Sequence, residues 1–180
     1  MVLRDLRKMA DGVIFLQQVS GYSATAAGLA SVPITILMFL LSARFGALSG
    51  KYGPRLFMTI GPIIAGIGTT TMLLANVPTN YWTQLLPGIV LFGLGLSITV
   101  APLTSAILGS IKSSQAGIGS AVNNAVARIA GLLSIAMIGL LIGNEVNLKG
   151  FHVGIVVCSV LLIAGGIVSA IGIRNQPVED

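Results

Sequence analysis

Three long intervals of this sequence contain no charged residue, and they constrain the fold more than any other feature. They lie between Asp11 and Arg44, between Arg55 and Lys112, and between Lys149 and Arg174. A helix that crosses a bilayer needs about 20 mainly apolar residues. Each interval is long enough for one such helix, and the 56 residues between Arg55 and Lys112 are enough for two. The chain is therefore expected to fold into helices that cross a membrane.

The composition excludes the other fold classes. Apolar residues of the types AVILMFWYC make up 54% of the 180 residues, and charged residues only 8%. A soluble domain carries about 25% charged residues, so this chain would expose very large apolar patches in water. Disorder is excluded because a chain this apolar does not stay solvated. The sequence thus predicts an all-α membrane protein whose surroundings are the lipid bilayer.

Residues 12–173 are predicted to form one transmembrane helical bundle. Its five full helices are predicted at residues 29–48, 56–75, 82–108, 117–142 and 153–173. A sixth apolar stretch, residues 12–20, is short, because nine residues of helix rise only about 14 Å against roughly 30 Å of hydrocarbon. We interpret it as the outer end of a truncated first helix.

A signal peptide is the alternative for the start of the chain. The basic residues between 4 and 8 would form its charged region, and Ala24–Ala26 resembles a cleavage site. Gln17 and Gln18 interrupt the apolar core that such a peptide needs, so we favour the truncated helix.

The basic residues predict the orientation, because cytoplasmic loops carry an excess of Lys and Arg. If the loop at Gly50–Pro54 is cytoplasmic, eight basic residues lie on or near the inner side and only Lys149 lies outside. The eight are Arg4, Arg7, Lys8, Arg44, Lys51, Arg55, Lys112 and Arg174. This pattern predicts a multi-pass protein of the plasma membrane with both termini cytoplasmic: a basic segment at residues 1–11 and a tail at 174–180.

Pairs of small residues four positions apart predict close contacts between helices, because lipid provides no hydrophobic drive for helix association. The pairs lie in several spans: Gly46/Gly50, Ala101/Ser105/Gly109, Ala127/Gly131, Gly139/Gly143 and Gly150/Gly154.

Arg128 is the most informative polar residue, because it lies near the middle of the predicted span 117–142. A central Arg costs about 2.5–3.5 kcal/mol on insertion scales, so it should turn away from lipid. Asn124 and Ser120 lie four and eight residues earlier and share its helical face. These three are candidates for lining a substrate cavity. The alternative, which we favour for Arg128 itself, is a structural role in which it caps carbonyl groups or reaches a polar surface.

The acidic residues all fall outside the predicted spans. They are Asp5, Asp11, Glu145, Glu179 and Asp180, and the single histidine, His152, is placed at a helix entrance. Proton-driven pumps usually carry Asp, Glu or His within the membrane. If the intact system is coupled to protons, the coupling group therefore belongs to another segment or chain.

The sequence contains no signature of an enzyme. P-loop, HExxH and GxSxG motifs are absent, and so are paired carboxylates on one helix face. Cys158 is the only cysteine, and we predict neither a metal site nor a cofactor. The ten basic residues are scattered rather than clustered with aromatic residues, so nucleic acid is not an expected partner.

The segment Gly46–Arg55, GALSGKYGPR, resembles the signature loop of the major facilitator superfamily, G-x-x-x-D-[RK]-x-G-[RK]-[RK]. Gly46, Lys51, Gly53 and Arg55 match, whereas Gly50 occupies the acidic position and Pro54 replaces a basic residue. In the family this loop follows the second helix of each transporter half on the cytoplasmic side. Loss of the acidic residue weakens any charge-relay role.

Further segments resemble the fourteen-helix drug–proton antiporters of the EmrB/QacA type, over roughly residues 13–173. The similar segments are Leu16–Ala24 with Ala27–Pro33, Leu85–Gly95 with Ala101–Thr104, and Ala116–Ser120 with Asn123, Arg128 and Gly131. Their order matches the C-terminal half of such a transporter. The resemblance implies one bundle of a two-bundle transporter, without the N-terminal half that carries the antiporter motif and the proton-linked acidic residues.

The function expected from this resemblance is that of the C-terminal half of a multidrug efflux transporter, a fragment that does not transport alone. Alternating access needs a second bundle to move against. The expected partners are a separate N-terminal half or a second copy, and a drug-like small molecule once assembled. The alternatives are a non-transporting membrane interaction protein, or a remnant that packs against another transporter chain.

Overall fold

A computed structural model of the chain describes residues 23–74, 80–109, 113–142 and 148–173. Within these ranges the structure is helical and has no strand. The α-helices are α1 (Ala24–Leu29), α2 (Val32–Tyr52), α3 (Pro54–Thr71), α4 (Leu86–Gly109), α5 (Ala116–Ile142) and α6 (Leu148–Gly172). A 3₁₀ turn, Met72–Leu74, extends α3, a π-helical turn, Tyr81–Leu85, leads into α4, and a second 3₁₀ turn, Ser113–Gln115, precedes α5.

Five helical segments are long and apolar enough to cross a membrane, which confirms the predicted fold class. They are Val32–Tyr52, Pro54–Leu74, Tyr81–Thr104, Ala116–Met137 and Gly150–Gly172. The predicted basic segment at 1–11, the truncated helix at 12–20 and the tail at 174–180 lie outside the described residues.

Some helix ends differ from the predicted spans by a few residues, because individual residues determine where the helix begins and ends. The first span begins at Val32 rather than at residue 29, because a turn at Ala30–Ser31 interrupts the helix and Pro33 occupies the first turn of α2. The same helix continues past Lys51 to Tyr52, since a Lys side chain can extend its charge beyond the apolar region.

The central helix of the bundle is α3. It packs against α4 on one side and α6 on the other, and α2 packs along the far side of α4. Among the long helices, α5 makes smaller contacts, with α6 and α4, and lies at the edge of the described bundle. Consequently, most of the α5 surface is left exposed.

The contact between α3 and α4 is built on four glycines. Gly61 and Gly68 on α3 lie opposite Gly95 and Gly88 on α4, in antiparallel order. A Cβ atom on Gly95 would lie 2.5 Å from the Gly61 carbonyl oxygen, and one on Gly88 would lie 2.6 Å from that of Gly68. Between the two pairs, Ala65 is only 1% exposed. The two backbones can approach this closely because no side chain lies between them.

The contact between α3 and α6 follows the same rule. A Cβ atom on Gly66 would lie 2.7 Å from Ile163 Cγ1, and one on Gly166 would lie 2.9 Å from the Thr59 carbonyl oxygen. A buried hydrogen bond of 2.7 Å joins the hydroxyl groups of Thr69 and Ser159. This polar contact is internally satisfied, as a bilayer requires.

The small-residue pairs expected from the sequence explain only part of this packing. Gly46 meets Ala101, whose Cβ atom would lie 3.3 Å from a Cβ atom on the glycine. By contrast, no atom of another helix lies within 4 Å of the Cβ position at Gly50 or Gly131. The tightest contacts of the described chain lie instead at glycines seven residues apart.

Candidate functional site

The predicted polar stripe, Ser120, Asn124 and Arg128, lies along α5. All three side chains are exposed. Arg128 is the thirteenth residue of this 27-residue helix, which places it near mid-helix. Their spacing of four puts them on one face.

The described residues leave this stripe uncovered. Asn123, one residue before Asn124, is half-buried, and one residue step rotates the helix face by about 100°. The expectation that Ser120, Asn124 and Arg128 face a bundle interior or an aqueous cavity stays a prediction, because they lie on an uncovered surface of the described residues.

An uncovered Arg128 is costly in a bilayer. A charged residue at the centre of a membrane helix costs about 2.5–3.5 kcal/mol on insertion scales unless it faces protein or water. The apolar residues of α5 do not remove this cost; they only offset it. Lipid is therefore an unfavourable neighbour for this part of the α5 surface.

The second candidate region is the loop between α2 and α3, which contains the motif residues Gly46, Gly50, Lys51, Gly53 and Arg55. The connection is a single residue, Gly53, with φ 81° and ψ 153°. Among the described residues it is the only one with a positive φ. This backbone conformation is essentially restricted to glycine, and Pro54 then starts α3 with the φ that a first helical residue needs.

Arg55 connects this loop to the end of α6. Its side-chain Nε donates a hydrogen bond of 2.8 Å to the carbonyl oxygen of Ala170. Ala170 lies in the last turn of α6, where carbonyl groups lack a partner within the helix and carry partial negative charge. The Arg55 side chain thus caps a helix that lies more than a hundred residues away in the sequence.

Gly50 and Lys51 have simpler surroundings. Lys51 is exposed in the last turn of α2. At Gly50 there is open space around the Cβ position, so steric exclusion does not explain why this position lacks the acidic residue of the signature.

The described residues offer no group of three or more His, Cys, Asp or Glu side chains that could hold a metal ion. The side chains at both regions include hydrogen-bonding groups and positive charges: Ser120, Asn124 and Arg128 on α5, and Lys51 and Arg55 at the loop.

A protein-family model described as Major Facilitator Superfamily matches residues 9–179. The chain belongs to the major facilitator superfamily. This superfamily consists of membrane transport proteins. Membership also accounts for the signature loop, whose glycine at the turn and arginine at the α6 cap have a physical role in this structure.

Several curated members of the superfamily are similar to this chain. It is 26% identical over 139 residues to an uncharacterized MFS-type transporter, YhcA, of Bacillus subtilis. The aligned region covers 77% of this chain and 25% of YhcA. It is 25% identical to the multidrug resistance protein Stp of Mycobacterium tuberculosis, over 69% of this chain and 23% of Stp. It is 28% identical to the puromycin resistance protein pur8 of Streptomyces alboniger, over 69% of this chain and 25% of pur8.

The chain thus aligns with about a quarter of the length of these relatives. No solved structure matches it.

Two structural features were missed by sequence reasoning. One is the glycine contact of α3 and α4, whose signal is the sevenfold spacing of Gly61/Gly68 and Gly88/Gly95. The other is the hydrogen bond from the Tyr81 hydroxyl to the carbonyl oxygen of Ala30, at 2.9 Å. The sequence signal for this bond is Pro33, which removes a backbone donor near Ala30.

Proposed function

We propose that this chain forms the C-terminal bundle of a multidrug efflux transporter of the EmrB/QacA type, which moves drug-like molecules out of the cell by alternating access. Membership of the superfamily supports transport. The names of two similar proteins, a multidrug resistance protein and a puromycin resistance protein, support drugs as the substrate class. The order of the similar segments along the chain supports the C-terminal position.

The uncovered stripe of α5 is the observation that carries this proposal. Ser120, Asn124 and Arg128 are exposed on a helix of membrane-spanning length. Lipid is an unfavourable neighbour for Arg128, so the stripe needs either a second protein surface or water. The interface between two transporter bundles supplies both. In this proposal the three residues line one wall of the substrate cavity.

The favoured companion is an N-terminal half rather than a second copy. In a symmetric dimer in which the stripes of the two copies face each other, Arg128 of each copy would approach its counterpart. Two like charges repel strongly when they are withdrawn from water. An N-terminal half can instead provide the acidic groups that the spans of this chain lack, including the group that couples transport to protons.

The proposed orientation places the loop at Lys51 in the cytoplasm of the cell, with the protein in the plasma membrane. Arg44, Lys51 and Arg55 lie toward the same end of α2 and α3, which agrees with the excess of basic residues on cytoplasmic sides.

Reconstitution tests the proposed function. Drug-loaded proteoliposomes should retain drug when they contain the purified chain alone. They should release it when the N-terminal half of the Bacillus subtilis relative is co-reconstituted as a separate chain. Efflux by the 180-residue chain on its own would contradict the proposal. Stable association with the companion half without efflux would instead support the competing function, a non-transporting protein that packs against a transporter.

A further inference from the structure

The break between α1 and α2 leaves a backbone carbonyl without its usual helical partners. The Ala30 carbonyl oxygen would normally accept a bond from residue 33 or 34. Residue 33 is a proline and has no N–H group, and the Ile34 N–H donates to the Ser31 oxygen at 3.1 Å. Ala30 is only 6% exposed, so burial would make an unsatisfied carbonyl costly.

The Tyr81 hydroxyl supplies the missing bond. It donates to the Ala30 oxygen at 2.9 Å across 51 positions of sequence. The Tyr81 ring packs against the apolar cluster of Ala30, Leu85 and Ile89. The hydroxyl therefore joins the start of α2 to the turn that precedes α4.

Several hydrogen bonds donated by backbone N–H groups fix the turn that carries Tyr81. The Trp82 N–H donates to Asn80 Oδ1 at 3.1 Å, and the Asn80 N–H donates to Gln84 Oε1 at 3.2 Å. The Leu86 N–H reaches back to the Tyr81 oxygen and closes a π-helical turn. Such turns are rare and occur frequently at functional sites.

The Ala30 side is held less firmly. Ser31 lies between the two helices with φ −90° and ψ −10°, and α1 has only six residues. The described side chains of α1, Thr25 and Leu29 among them, are exposed, and Leu29 is 63% exposed. The described side chains of α1 therefore do little to fix its direction.

We propose that Tyr81 is a positioning residue whose hydrogen bond fixes the angle between α1 and α2 at Ala30–Ser31. When this bond is released, α1 changes its direction while α2 stays packed on α4. The released state leaves the Ala30 carbonyl oxygen to water and no longer fixes the direction of α1 relative to α2. Water can replace the lost bond at a membrane boundary, so both states are accessible. This device goes beyond the proposed function, because it needs neither a substrate nor a companion half.

Hydrogen exchange of the full chain in lipid nanodiscs tests the proposal. The variant Tyr81→Phe keeps the ring and removes only the hydroxyl. We expect amides of residues 24–34 to exchange roughly two- to twelvefold faster, as the loss of one net hydrogen bond implies, with α3 unchanged. The matched control is Trp82→Phe, which alters the adjacent and exposed aromatic residue and should leave these amides unaffected.

A second variant separates positioning from packing. Pro33→Ala restores an N–H group near the Ala30 carbonyl, so the double variant Tyr81→Phe/Pro33→Ala should lose most of the acceleration seen in Tyr81→Phe. Three results would overturn the proposal: unchanged exchange in Tyr81→Phe, equal acceleration in all helices, or no recovery in the double variant. None of them bears on efflux by the assembled transporter.

Discussion

Gly53 shows how a single residue determines the geometry of the signature loop. It reverses the chain between two membrane-spanning helices with one residue, and its φ of 81° combined with ψ of 153° is accessible to glycine with little strain. The motif glycine is thus explained by backbone sterics, independently of any role in transport.

The variant Gly53→Ala should lower the free energy of unfolding by about 1–3 kcal/mol, because its Cβ atom is strained in this conformation. The matched control is Gly50→Ala, three residues earlier, where the Cβ position has open space. Alanine is the better helix former, so this control should gain up to about 1 kcal/mol. Thermal unfolding in detergent micelles measures both, and equal melting temperatures would contradict the argument.

Arg55 carries a second part of the motif that does not need the missing acidic residue. Its bond to the Ala170 oxygen places a cation at the C-terminal end of α6, where the helix dipole favours positive charge. The loop therefore keeps a structural link to the last helix although Gly50 replaces the acidic residue.

At the scale of helices, stability depends on how closely α3 and α4 can approach. Gly61, Gly68, Gly88 and Gly95 let the two backbones touch without intervening side chains. In a bilayer, such packing replaces the hydrophobic effect as the force that joins helices.

The variant Gly95→Ala should destabilise the bundle by about 1–3 kcal/mol, the usual cost of overpacking, because its Cβ atom would meet the Ala65 nitrogen and the Gly61 oxygen, each at 2.5 Å. Neither is the flexible end of a side chain, so the helices must separate. Gly131→Ala is the control, since its Cβ atom would have open space and alanine favours the helix. Chemical denaturation in mixed micelles should give Gly95→Ala a lower free energy of unfolding than the parent chain and Gly131→Ala a higher one.

The sequence was sufficient to predict which segments are long and apolar enough to cross a membrane, because apolar length decides this even in α5, which contains Arg128. The ends of α2 were harder, since they depend on Pro33 and on the conformation of Gly53. Of the small residues predicted to contact another helix, Gly46 and Ala101 do so, whereas Gly50 and Gly131 do not, because small residues indicate that a close approach is possible without naming the partner. For Ser120, Asn124 and Arg128, periodicity gave a shared face but not what covers it.

For the whole molecule, the distribution of charge predicts which side each loop occupies. With Cys158 replaced by alanine, single cysteines at Lys51 and Lys149 should react with a membrane-impermeant maleimide from opposite sides of the bilayer. In intact cells the Lys149→Cys chain should be labelled, whereas Lys51→Cys should require lysis. Labelling of both positions from the same side would remove the basis of the proposed orientation.

Arg128 allows the transport role and the structural role to be separated in the assembled protein. Replacement by leucine should improve insertion of α5 by roughly 3–4 kcal/mol on the scale for central residues, as measured by glycosylation mapping of the isolated span. If Arg128 lines the cavity, Arg128→Leu should also abolish efflux by the two co-reconstituted halves while they still associate. The control is Val126→Leu, because Val126 is exposed on nearly the opposite face of α5 and should tolerate the change. A structural Arg128 would behave differently, because its loss would weaken association of the halves and reduce efflux in parallel.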